Sequence, residues 1–202
     1  MNRLRKGFTV LELAVVIAIL GVLGVVIVSS TGGMSASERS DQARINEVAH
    51  TLDRLSRAMA FFEATLPKFS FYQTVGAYPG RLSHLTTPIT TLQRNSCGAL
   101  YSSTNVLAWV GGYFTQDIPT SGLFIAPGFL TADSLVRTPP DVATVPAGTL
   151  AIVIPNVTRA DAILLAWTID GDSTGTLGTV RYSPNDGSSP VSVSYLTMVG
   201  GC

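Results

Sequence analysis

Along the chain the apolar positions follow three different rhythms. Residues 1–7 carry Arg3, Arg5 and Lys6 and no acid, and Phe8–Val28 is then almost continuously apolar. As a helix those 21 residues reach ~31 Å, the thickness of a bilayer's hydrocarbon. Basic residues beside such a span hold that end in the cytoplasm and send the rest of the chain across. The run closes at Ser29-Ser30-Thr31-Gly32-Gly33. Each glycine there is ~1 kcal/mol poorer than alanine in a helix, so a kink or an extended stretch is expected. Gly21 and Gly24, inside the run, suit close helix–helix packing.

From Ser35 the rhythm turns helical. Ile45, Val48, Leu52, Leu55, Met59 and Phe62 recur at steps of three and four, which predicts one amphipathic helix. Ser37 or Ser40 is the expected cap, and Pro67 the expected end. The stripe is expected to pack on a sheet. His50, without a partner at helical spacing, reads as a surface residue rather than a metal ligand.

After Pro67 the rhythm shortens. Phe69–Thr91 reads as a loop with at most one helical turn near Arg81–Thr86, where the second histidine, His84, also stands alone. Asn95-Ser96-Cys97-Gly98 reads as a turn, and Val106–Thr115 as a strand split by Gly111-Gly112, with Trp109, Tyr113 and Phe114 in core or sheet positions. Residues 116–147, punctuated by prolines, read as loop-heavy, with one short apolar piece at Leu123–Phe129. Thr149–Pro155 predicts a buried strand, and Thr158 caps a short helix whose apolar side is Ala162, Leu165, Ala166 and Ile169. Thr176–Ser183 and Val191–Val199 alternate across Pro184-Asn185-Asp186-Gly187, which predicts a hairpin with one buried and one solvated face. The fold class expected is α+β: a long N-terminal helix, half transmembrane and half amphipathic, on an antiparallel sheet. The division expected is 1–7, 8–31, 32–66 and 67–202.

Composition narrows the function. Apolar residues are 46% and charged residues 13%, which excludes a disordered chain, and zero net charge argues against nucleic acid as a partner of the head. No phosphate-binding glycine loop, Gly-x-Ser-x-Gly, Cys-x-x-Cys or spaced histidine pair is present, so no enzyme and no cofactor are expected. Asp170 and Asp172, in Asp-Gly-Asp-Ser-Thr-Gly, are weak calcium candidates, since the remaining ligand spacing is missing. Asn156-Val157-Thr158 matches a glycosylation sequon, a three-residue pattern common by chance. Cys97 and Cys202 fit no zinc spacing; in an exported domain they would form one disulfide, and otherwise they are two free thiols.

One residue separates the apolar span from an ordinary anchor or signal peptide. Glu12 lies in its first turns, where a lone carboxylate costs ~2.5–3.5 kcal/mol, and the span supplies no cation. No good Ala-x-Ala cleavage pattern follows the span. The stretch Lys6-Gly7-Phe8-Thr9-Val10-Leu11-Glu12 resembles the class III leader of bacterial type IV pilins and pseudopilins. The resemblance implies cleavage between Gly7 and Phe8 by a prepilin peptidase, and N-methylation of Phe8. It also implies that the new amine pairs with Glu12 of a neighbouring subunit during assembly, with Thr9 beside it. Two charges in a low-dielectric bundle are tolerable only when paired. The partners implied are identical or related pilin subunits, the peptidase/methyltransferase, inner-membrane assembly machinery and, before assembly, inner-membrane lipid. The expected location is a single-pass inner-membrane protein that becomes a surface or periplasmic filament, with loops 67–105 and 116–147 facing partners. A disulfide closing the C-terminal region is common in that family. Such filaments serve adhesion, motility or DNA uptake. The alternatives are a type II secretion pseudopilin and, from another class, a membrane-tethered periplasmic binding domain that never polymerises.

Overall fold

Helix α1 spans Ala36–Ala60 with neither proline nor glycine inside it. The computed structural model describes residues 36–60, 69–137, 148–183 and 190–198. The leader and apolar span, the glycine pair Gly32-Gly33, Phe62, Pro67, the turn 184–187 and Cys202 therefore lie outside the described residues. Among the described residues no helix is long and apolar enough to cross a membrane. The chain divides into a unit of residues 1–42 and a unit of residues 43–202. Of the first, residues 37–41 are exposed polar helix.

In the second unit α1 becomes amphipathic in fact. Ile45, Val48, Leu52, Leu55 and Met59 have no exposure, so each removes a full apolar side chain from water, worth about 1.5–3 kcal/mol. On the opposite face Arg57 Nε donates to Asp53 Oδ2 at 2.8 Å, one turn away. Ser37 and Ser40 sit inside the helix rather than at its cap, because helical backbone already begins at Ala36.

Two short helices replace expected loop and strand. Helix α2, Phe71–Val75, follows a capping box in which the Ser70 hydroxyl accepts from Gln73 N and the Gln73 side chain accepts from Ser70 N. Gly76 ends it in the left-handed region. Helix α3, Ser103–Ala108, repeats the device with Ser102 and Asn105. The expected strand 106–115 is thus corrected: its first residues close a helix, and Gly111 and Gly112, at φ 77° and 64°, break extended backbone. Tyr113 and Phe114 still reach the core. Between α2 and α3 a 3₁₀ turn covers Leu82–Leu85.

The remaining chain is antiparallel. Strands β1 (Phe124–Ala126) and β2 (Phe129–Leu130) form a hairpin around Pro127-Gly128. The larger sheet has the order β3 (Leu135–Val136), β4 (Thr149–Val157), β6 (Val191–Met198), β5 (Val180–Tyr182). Register sets its inner face: Leu150 opposes Thr197, Ile152 opposes Tyr195 and Ile154 opposes Val193. After Ile154 the register shifts, Asn156 takes φ 59°, and the chain turns into helix α4, Arg159–Asp170, capped by the Thr158 hydroxyl. Ala162, Leu165 and Ala166 are buried in the cluster that also holds the α1 stripe and the inner face of the sheet.

Two expectations for the hairpin change. Residues 176–179 are not strand, since the ladder begins only at Val180. The face read as solvated is closed: Arg181 and Ser194, cross-strand partners, are 7% and 3% exposed. Alternation reports polarity, not coverage. The Arg181 guanidinium donates to the Gly178 carbonyl at 3.2 Å, and Ala151 and Ser194 are buried.

Candidate functional site

The residues that carry the sequence-level chemistry, Gly7, Phe8, Thr9 and Glu12, lie outside the described residues. The described unit supplies three polar constellations, each with partners from distant parts of the chain.

The first is a clasp on Arg44. Its Nη2 donates to Asp161 Oδ1 at 2.6 Å, and its Nη1 donates to Asp161 Oδ2 at 3.2 Å and to the Pro127 carbonyl at 2.9 Å. The guanidinium also lies 5.6 Å from the Phe129 ring centroid. Asp161 stands in the first turn of α4, where the helix dipole favours an anion. One side chain thus ties α1 to the β1–β2 turn and to α4.

The second surrounds the 3₁₀ turn. Asp133 accepts from Ser83 N at 2.8 Å and from the Ser83 hydroxyl at 3.1 Å, with Arg81 Nη1 at 3.6 Å. His84 Nδ1 lies 3.1 Å from the Tyr101 hydroxyl, which also accepts from Gly80 N and donates to the Tyr78 carbonyl. Trp109 Nε1 donates to the His84 carbonyl at 2.9 Å. Burial pulls the His84 imidazole down to about 4 and pushes the Tyr101 phenol up. Ser83, His84 and Asp133 are the residue types of a hydrolytic triad, but here the imidazole faces a tyrosine, not the serine. The serine hydroxyl is spent on the carboxylate. All three are nearly fully buried, so the cluster organises structure rather than a reacting atom.

The third is the loop after α4. Asp170 accepts from Thr179 N at 2.9 Å and from Val180 N at 2.7 Å. Asp172 accepts from Thr174 N and Thr174 Oγ1, which hold its carboxyl below its ordinary value. The two carboxylates serve different backbone segments, and no group of three metal-ligating side chains occurs among the described residues. Tyr182 N donates to the Gly175 carbonyl, and the Tyr182 ring covers Gly175 so closely that any Cβ there would overlap it. Both outward-facing amides of β5 are therefore occupied.

Cys97 lies in the expected turn. Asn95 Oδ1 accepts from Cys97 N at 2.9 Å and from Ala99 N at 3.1 Å, while Arg137 holds the Ser96 carbonyl at 3.3 Å. His50 is exposed on α1. The Arg44 clasp and the His84–Tyr101 contact escaped the sequence reading, since their members stand 117 and 17 residues apart with no spacing rule to join them.

Residues 2–28 match the family model of the prokaryotic N-terminal methylation motif. The chain carries that motif. It covers Gly7, Phe8, Thr9 and Glu12 and agrees with a class III prepilin leader, which supports a type IV pilin-like or pseudopilin protein. No curated protein and no solved structure matches the chain. The part from residue 29 onward is therefore read on its own physics.

Proposed function

We propose that this chain is the precursor of a structural subunit, pilin or pseudopilin, of a type IV pilus-like filament. Peptidase cleavage between Gly7 and Phe8 removes residues 1–7, and Phe8 is N-methylated. Residues 8–31 then hold the subunit in the inner membrane until, in assembly, they leave lipid for a bundle of like helices. There Glu12 of one subunit meets the Phe8 amine of the next, with Thr9 alongside. Residues 32–66 carry the head's helix and 67–202 the rest of the head, outside the cytoplasm. The observation that carries the reading is the motif match over residues 2–28, in which glycine, phenylalanine and glutamate stand in processing order.

The head is compatible with that role. The α1 stripe begins at Ile45, after exposed polar turns, and shares one buried cluster with Leu150, Ile152 and Val193. This supports a pilin-like packing of helix on antiparallel sheet. A bridge between Cys97 and Cys202 belongs to the same proposal. Cys97 is not a free thiol among the described residues, and closing so long a loop contributes ~2–5 kcal/mol.

The test is the mass of the chain purified from the membrane or filament. Loss of residues 1–7 with gain of one methyl group is the expected result. Retention of Met1, or cleavage near Gly32, overturns the reading.

A further inference from the structure

The assembly reading makes no use of the buried cluster at the 3₁₀ turn, and that cluster holds one unmade hydrogen bond. His84 is 2% exposed. Its Nδ1 is engaged by Tyr101, while its Nε2 has no partner. With the Tyr101 hydroxyl donating to the Tyr78 carbonyl, the neutral ring carries its proton on Nδ1 and Nε2 is left a bare acceptor, a cost the fold bears. An imidazolium is different: it would place a proton donor and a full charge at that same dry position.

Burial outweighs what the neighbours return. Asp133, from the segment after β2, favours the imidazolium, but its carboxylate is already engaged by Ser83 and Arg81 and does not offset the loss of water. Arg81, from the residue that opens the turn, opposes a second cation. Tyr101 meets the ring through its hydroxyl, and the Tyr113 backbone N–H donates to the Leu85 carbonyl at the end of the turn.

We propose that the 3₁₀ turn Leu82–Leu85 is an acid-released latch: a proton taken up at His84 Nε2 breaks the His84–Tyr101 contact and loosens the segment from Tyr78 to Tyr101. Tyr101 is the hinge of the device. Its one hydroxyl joins His84 to Gly80 and Tyr78, so loss of the imidazole loosens both ends of the segment. The direction follows from linkage. The docked ring binds its proton only near pH 4, whereas a released one does so at 6.5. The docked-to-released ratio is thus constant well above pH 6.5, is lower by about 160-fold at pH 4, and approaches a limit of about 300-fold below that.

The chain has two tryptophans, and Trp109 reports on the latch through its bond to the His84 carbonyl. The full chain carrying Trp167→Phe, in detergent micelles, is titrated from pH 7 to pH 3 by fluorescence and far-UV circular dichroism. The expected result is a Trp109 emission change below pH 6.5 that precedes any loss of helix and is absent from His84→Gln. An unchanged transition in His84→Gln, or emission and helix lost together, overturns the latch. Should His84→Gln not fold, the His84 ring is followed by NMR in the parent chain, with His50→Gln to assign the two imidazoles. A His84 titration at the ordinary value of 6.5 overturns the proposal, and one depressed well below it upholds it.

Discussion

Replacing Arg44 with alanine removes four contacts at once, and the structure sets the size of the loss. The pair with Asp161 is two-pronged, with side chains only 22% and 13% exposed, so it lies between surface pairs, worth under about 1 kcal/mol, and buried pairs, whose rupture costs ~3–5 kcal/mol. A coupling of about 1–2 kcal/mol is expected. The Pro127 carbonyl bond adds ~0.5–1.5 kcal/mol and the Phe129 ring ~0.5–1 kcal/mol, with overlap among the terms. Arg44→Ala should therefore cost about 2–3 kcal/mol, and Asp161→Ala less, since α4 keeps its Thr158 cap. The assay is a double-mutant cycle by urea unfolding of the full chain in detergent, followed by far-UV circular dichroism, with Arg44→Lys as a fourth variant. Lysine keeps the charge but loses the fork, so it should recover less than half of the loss. A cycle in which the two single losses simply add, or full recovery by lysine, would refute the clasp.

Two further outcomes follow from residues singled out by sequence. Asp170→Asn should cost about 1–3 kcal/mol and speed amide exchange at Thr179 and Val180, while chelating agents leave the unsubstituted protein's unfolding unchanged; a chelator-sensitive midpoint would instead support calcium at Asp170 and Asp172. Glu12→Ala should leave membrane insertion intact and abolish filament incorporation, scored by membrane fractionation and electron microscopy; normal filaments would remove the charge-pairing account.

The elements most legible in the sequence were those whose instructions are local. Strand β4 announced itself by an apolar run and α4 by its Thr158 cap, and both stand where expected. Helix α2 carried an equally local signal, the Ser70-x-x-Gln73 box, hidden because only five helical residues follow it. Residues 106–115 misled because their branched and aromatic side chains suit a strand, whereas two positive-φ glycines decide the backbone. The polar clusters were illegible for another reason. Ser83 and Asp133 stand 50 residues apart, and nothing in either neighbourhood announces the other.

The closure of β5 bears on how copies of the chain behave when crowded. A sheet edge with unspent amides is a template on which any extended chain can grow. Here Asp170 and Gly175 occupy the amides of one edge, and on the other Leu135 N donates to the Gly80 carbonyl. At Leu135, Val180 and Tyr182 the amides are already spent. Copies of the chain crowded together gain from this, because the amides that would seed strand-to-strand pairing are already spent.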